Sequence, residues 1–188
     1  MLRPAYPIET DRLLLRPYRD DDLEALHEIE RLEGTARYLY NAPLDLDATR
    51  ALLERRKAMI AFDDDHDGLF LAAVLKGTGT LIGHVNLEVK SREHHQGEIG
   101  YVLHPDHQGH GYATEAAAEM LRIGFEELDM HRIVGRLDAR NVASARVLQR
   151  LGMRLEAHLR ENEWVKGEWV SELIYAILAS EWRSGRSG

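Results

Sequence analysis

The stretch "EIGYVLHPDHQGHGYATEAAAEM", residues 98–120, decides how the chain is organised. "EIGYVLH" reads as a strand that opens on a carboxylate, Glu98. "PDHQGHG" is turn chemistry, with Gly109 and Gly111 on either side of His110. The segment at 112–129, "YATEAAAEMLRIGFEELD", is an Ala- and Leu-rich helix. "HRIVGRLD", residues 131–138, is the next strand. Such a β-α-β unit closes as a right-handed crossover, which makes its two strands parallel.

The rest of the chain frames that unit. "DRLLLRPY" (11–18) reads as a first strand. "RDDDLEALHEIERL" (19–32) reads as a helix with an acidic start and Leu23, Leu26, Ile29 and Leu32 on one face. A second helix is expected from 47 to about 62, with Leu52, Leu53, Met59 and Ile60 inward, then a polar turn at 63–68. Strands at 69–75 and 80–89 are joined by "KGTGT", and a loop spans 90–97. After the crossover come a short helix at 141–152, closed by Gly152, and a long hairpin, 153–165 and 168–179, around Lys166-Gly167. The order β-α-α-β-β-β-α-β-α-β-β gives an α/β domain with a mixed, mostly antiparallel sheet of about seven strands and about four helices. Residues 1–182 are expected as that single domain and 183–188 as a flexible tail.

Composition narrows the function. With 188 residues and 44% hydrophobic content the chain builds one good core. No cysteine is present, which excludes disulfides, thiolate metal sites and a cysteine nucleophile. The longest apolar runs, such as "LFLAAVL", are too short to span a bilayer, and a soluble, cytoplasmic protein is expected. A net charge of −8 argues against nucleic acid as a partner and favours cationic ones such as amines, though solubility alone also accounts for it. His84, His94, His95 and His104 lack a ligand spacing, and "DDDHD" lacks the closing glutamate of a calcium loop, so no metal is expected. Trp164 and Trp169 flank the hairpin turn, where they either line an acceptor groove or pack between strands.

The turn from Gln108 to Ala113 has a physical use. Glycines reach positive φ and let a ligand approach the backbone. Successive N–H groups then form a nest, and the helix that follows adds its free N–H groups and positive dipole end. That combination holds a phosphate or pyrophosphate without lysine. A tight turn that merely needs glycine is the plain alternative.

"PDHQGHGYATEA" resembles the pyrophosphate loop, Gln/Arg-x-x-Gly-x-Gly/Ala, of the GNAT superfamily of N-acetyltransferases, here with Gln108, Gly111 and Ala113. "TDRLLLRPY", "NVASARVLQRLGMRLEAHLRE" and "AILASEW" extend the likeness, in order, to its ribosomal-protein N-terminal (RimJ/RimL-type) subgroup. The resemblance implies acetyl-CoA as donor, an amine as acceptor and a splay between the fourth and fifth strands. It implies that the backbone of Tyr101, Val102 and Leu103 holds the pantetheine arm. The amides of Gly109, His110, Gly111, Tyr112, Ala113 and Thr114 then take the pyrophosphate. Asn141 serves the arm as well, or caps its helix. A possible homodimer is also implied.

Acetyl transfer needs a base for the amine, a donor to polarise the carbonyl and a fate for the thiolate. Glu98, beside the gap, is the candidate base; a solvent-facing strand-edge carboxylate is the plain alternative. An amide of Val102 or Leu103 would polarise the carbonyl. Many relatives carry a tyrosine seven residues after the asparagine, where this chain has Leu148. Ser144 is the candidate to protonate the thiolate. Bonding backbone N–H in the first turn is its alternative role. Leu148 also leaves open a non-catalytic acyl-CoA-binding module. The acceptor is expected to be a protein or peptide N-terminal α-amine, with a polyamine or aminoglycoside-like amine as the alternative.

Overall fold

The computed structural model describes residues 2–62 and 67–185. Strands β1 (Ile8–Glu9) and β2 (Leu13–Arg16) lead into helices α1 (Leu23–Glu30), α2 (Glu33–Ala36) and α3 (Leu46–Ala58). Strands β3 (Ile60–Phe62), β4 (Asp67–Leu75), β5 (Leu81–Ser91) and β6 (Gln96–Leu103) follow. Helix α4 (Tyr112–Arg122) crosses to β7 (Arg132–Asp138), and α5 (Val142–Arg150) crosses to the hairpin β8 (Arg154–Val165) and β9 (Glu168–Leu178). Helix α6 (Ala179–Gly185) ends the described chain.

One sheet runs β1-β2-β4-β5-β6-β7-β9-β8, with β3 on β4. Every pair is antiparallel except β6–β7, as the crossover requires. Alternation along β4 shows how the faces divide. Leu69, Leu71 and Ala73 join the core that contains Met120 and Leu121 of α4. Ala72 and Val74 join Leu26 and Ile29 of α1 and Leu53 of α3 on the other face.

The α/β class and mixed sheet follow the expectation, and the differences lie in short elements. The second helix does not run to 62. Met59 leaves helical geometry (φ −89°, ψ 71°), and Ile60–Phe62 adds a strand to the N-terminal half of β4. That register buries Ala61 and Phe62, which a helix continued into the polar segment would expose. The expected loop at 90–97 shrinks to a turn, because β5 reaches Ser91 and β6 starts at Gln96. Regular α-helix ends at Arg122. A π-helical turn, Ile123–Glu127, then brings the Leu128 N–H back five residues to Ile123. The short elements β1, α2 and α6 carry too few residues for a period to be read. Of the expected polar turn, 63–66 lie outside the described residues, as do 186–188 of the expected tail.

Candidate active site

The parallel ladder is short. Gln96, Gly97 and Glu98 pair with Arg132, Ile133 and Val134, and there β6 and β7 part. From Ile99 to Leu103, β6 is paired on its β5 edge alone. The edge facing β7 is therefore open from Ile99 onward, just past Glu98, and one cavity lies on each side of that opening.

The first cavity is a cleft of about 320 Å³ lined by Tyr101–Leu103, the glycine loop, α5 and the Gly34–Leu39 segment. Gly109 and Gly111 take φ of 80° and 83°, values that L side chains rarely adopt. Gly111 is the N-cap of α4 and supplies no side-chain cap, so the first-turn N–H groups stay available. Arg12 braces this turn from behind. Its Nε donates to Glu115 Oε2 at 2.7 Å, its Nη1 donates to the His110 carbonyl at 2.9 Å, and its guanidinium lies 4.5 Å from the Tyr112 ring centre. The expected loop residues line the cleft, except that the His110 ring turns away and stacks on Tyr112. The Gln108 side chain donates to the Leu103 carbonyl at 3.1 Å and so pins the loop to the end of β6.

Opposite the loop, Asn141 does cap its helix, with its side-chain oxygen accepting from Ser144 N at 3.0 Å. The amide nitrogen of Asn141 is left for a ligand. Ser144 Oγ donates to the Tyr101 hydroxyl at 2.9 Å, and that hydroxyl donates to the Ser144 carbonyl at 3.0 Å. Burial pushes the Tyr101 phenol up to about 12, with Ser144 pulling it the other way. The sequence reading assigned only the Tyr101 backbone to the site. A contact 43 residues apart leaves no local signal. Leu148 is buried against Gly135 and takes no part in the cleft. The hydroxyls of Thr35 and Thr114, both in cleft-lining residues, are buried without a hydrogen-bond partner. An unpaired buried hydroxyl costs on the order of 1–3 kcal/mol, so a polar ligand here is favoured.

The second cavity, about 820 Å³, holds Glu98, and Tyr38 and Leu39 form a wall common to both cavities. Lys90 Nζ lies 3.1 Å from Glu88 and 3.7 Å from Glu98. Burial pushes the Glu98 carboxyl above the ordinary carboxylate range, against the pull of Lys90 and Arg136. Glu172, 3% exposed, accepts both Nε and Nη2 of Arg136, at 2.9 and 2.7 Å, and the Tyr40 hydroxyl at 3.3 Å. The sequence reading missed these three residues, since three separate segments bring them together. Trp164 and Trp169 pack edge to face on each other and are exposed, while their neighbours Glu163, Val165, Glu168 and Val170 line the cavity. Strand alternation thus places the indoles on the outer face of the hairpin, not in an acceptor groove. No group of three or more potential metal ligands occurs among the described residues, and no helix there is long and apolar enough to cross a membrane.

Known proteins share this architecture. The family model described as acetyltransferase (GNAT) domain matches residues 12–154. The uncharacterized N-acetyltransferase YnaD of Bacillus subtilis is 33% identical over 93% of this chain and 98% of its own. The crystal structure of a GNAT-family acetyltransferase from Bacillus anthracis superposes with a TM-score of 0.81 at 31% identity, covering 92% of this chain and 98% of that one. An acetyltransferase structure from T. thermophilus gives a TM-score of 0.82 at 26% identity, covering 100% of this chain and 96% of that one.

Proposed function

Because the chain belongs to the GNAT family of N-acetyltransferases, which draw on acetyl-CoA, we propose that it acetylates a protein or peptide N-terminal α-amine, as a RimJ/RimL-type enzyme. The observation that carries this reading is the charge balance of the Glu98 cavity. Five carboxylate and six basic side chains line it. Its buried carboxylate, Glu172, is already matched by Arg136, and Glu98 is shared with Lys90. A polycation needs unmatched carboxylates along its length. A peptide brings a single amine and a backbone of neutral donors and acceptors, which suits a mixed wall.

In this reading the pantetheine arm lies along the open edge of Tyr101–Leu103, and the pyrophosphate lies on the amides of Gly109–Thr114. Asn141 bonds the arm through its free amide nitrogen. The amine enters from the Glu98 cavity and attacks the thioester carbon: the N–C bond forms and the C–S bond breaks. Glu98 takes the amine proton, directly or through a water. A raised carboxyl suits that task, since α-amines titrate near about 8. The Val102 or Leu103 amide polarises the carbonyl. Ser144, oriented by Tyr101, relays a proton from solvent water to the thiolate, giving up its hydroxyl proton as it takes another, so that the hydroxyl is restored. A thiol pKa near about 8.5 makes this last step the least demanding.

Relatives point both ways on the acceptor. YdaF of Bacillus subtilis, named as a ribosomal N-acetyltransferase, is 29% identical over 55% of this chain and 57% of its own. The spermidine N(1)-acetyltransferase of Escherichia coli is 23% identical over 89% and 87%. The deciding measurement is thiol release from acetyl-CoA with three acceptors: peptides with a free N-terminus, the same peptides blocked there but carrying lysine, and spermidine. The free peptides are expected to lead in kcat/KM. Spermidine leading would move the assignment to small amines.

A further inference from the structure

We infer that Arg146 and Arg150 form a binding site for a phosphate monoester, the 3′-phosphate on the ribose of CoA. This rests on reading the 320 Å³ cleft as the acetyl-CoA site.

The cleft is electrostatically unlike the rest of the protein. The chain carries 32 Asp and Glu against 24 Lys and Arg. Yet no carboxylate lines the cleft, and Arg146 and Arg150 are the charged side chains that do, among the described residues. Both arginines are exposed, and neither has an ion-pair or hydrogen-bond partner among those residues. Many arginines elsewhere are matched, as Arg136 is to Glu172, Arg140 to Asp138 and Arg132 to Glu156, and ones unmatched among the described residues, such as Arg50 and Arg55, lie away from this cleft. Helix α5 offers no acid of its own, its sequence being VASARVLQR.

Spacing makes the pair a site. Residues four apart on a helix are neighbours, about 5–6 Å between Cβ atoms, and two like charges there repel. An anion between them turns that repulsion into attraction. The C-terminal dipole accounts for Arg150, in the last turn, but not for Arg146 in mid-helix. Guanidinium forks suit phosphate oxygens, and a phosphate monoester is close to a dianion at neutral pH.

Position selects which phosphate. The pyrophosphate has its own site in the glycine loop, which holds an anion through amides and a helix end. Ser144, at the acyl end of the cleft, and Arg150 are six helical residues apart, roughly 9 Å. The arginines therefore sit at the far end from the acyl group, where the nucleotide must lie. That end carries one further phosphate, on the ribose.

The experiment compares CoA with 3′-dephospho-CoA by calorimetry, in the wild type and in Arg146→Gln, Arg150→Gln and the double variant. The wild type is expected to prefer CoA by roughly 10- to 100-fold, the worth of charge-assisted hydrogen bonds. The double variant is expected to lose most of that preference by weakening CoA alone, with 3′-dephospho-CoA bound as in the wild type. Equal weakening of both ligands would assign the arginines to the pyrophosphate and overturn the inference. A wild type that does not distinguish the ligands would overturn it without any variant. If neither ligand binds the wild type, the cleft assignment itself fails, which is a separate result.

Discussion

The two cavities that meet at Tyr38 and Leu39 are built on opposite principles. The glycine-loop cleft takes much of its wall from one short segment, Gln108–Thr114, whose backbone is shaped by two glycines, and no carboxylate lines it among the described residues. The Glu98 cavity draws on four distant segments and is crowded with matched charges: Arg136 with Glu172, Lys90 with Glu88 and Glu98, Arg140 with Asp138. The first is specified by backbone conformation, the second by side-chain electrostatics. Substitutions should therefore act through shape in one and through charge in the other.

The largest effect is expected at Gly111. Any side chain there faces a φ of 83°, and its Cβ would already stand 3.4 Å from Arg12 Nη2. Gly111→Trp should strain the turn, fill the nest and weaken CoA by at least about 100-fold. Calorimetry checks this, with circular dichroism as the control for folding. Unchanged affinity would sink the loop assignment.

In the other cavity, Glu98→Gln removes a charge and little volume. It should lower kcat by about 100-fold or more, the usual worth of a general base. Acetyl-CoA affinity should stay close to that of the wild type. The acid limb of the pH–rate profile, set above the ordinary carboxylate range by burial, should disappear with it. A variant that keeps that limb would remove Glu98 as the base.

Arg12→Met tests whether the loop needs its brace. Burial alone would raise the Glu115 carboxyl, but hydrogen bonds from Thr10, the Arg12 backbone and the Arg12 guanidinium outweigh it and hold it low. The variant keeps the backbone bond and loses the guanidinium contacts to Glu115, the His110 carbonyl and the Tyr112 ring. CoA affinity should fall roughly tenfold, as expected when charge-assisted bonds that fix a binding loop are lost. The acceptor KM should not move. A matching rise in acceptor KM would mean that the brace serves the whole domain.

The same contrast explains what could be read in advance. The crossover, the glycine nest and Glu98 at the gap are legible because each lies within one contiguous stretch. The Asn141 cap was legible for the same reason. The Tyr101–Ser144 pair was not, nor was Arg136–Glu172–Tyr40, because tertiary packing joins residues 36 to 132 positions apart. Arg146 and Arg150 lay in plain view in "NVASARVLQRLG". Helical spacing puts them side by side, but only the fold shows that nothing neutralises them and that they face the cleft. The helix expected to run through Ile60 failed for a related reason, since the unpaired half of β4 competes for that segment.

The smallest expected effect concerns stability, and its sign is diagnostic. Burial raises the folded-state pKa of Glu98, so its charged form is disfavoured in the native protein. Below the ordinary carboxylate value of about 4.3 the group is neutral in both folded and unfolded states and costs nothing. As pH rises past that value the unfolded chain ionises first and the native one resists. Stability is then lost until the pH exceeds the raised pKa, and the penalty stays constant above it. Glu98→Gln should escape this penalty. The side chain is 25% exposed and Lys90 offsets part of its burial, so the gain in Tm at pH 7 to 8 should be only about 1–3 °C. At pH 4 the gain should vanish. A variant less stable than the wild type at neutral pH would mean that the Lys90–Glu98 contact holds the ionised carboxylate favourably. Glu98 would then be a structural charge, like the matched pairs around it, with no stability given up to make a base.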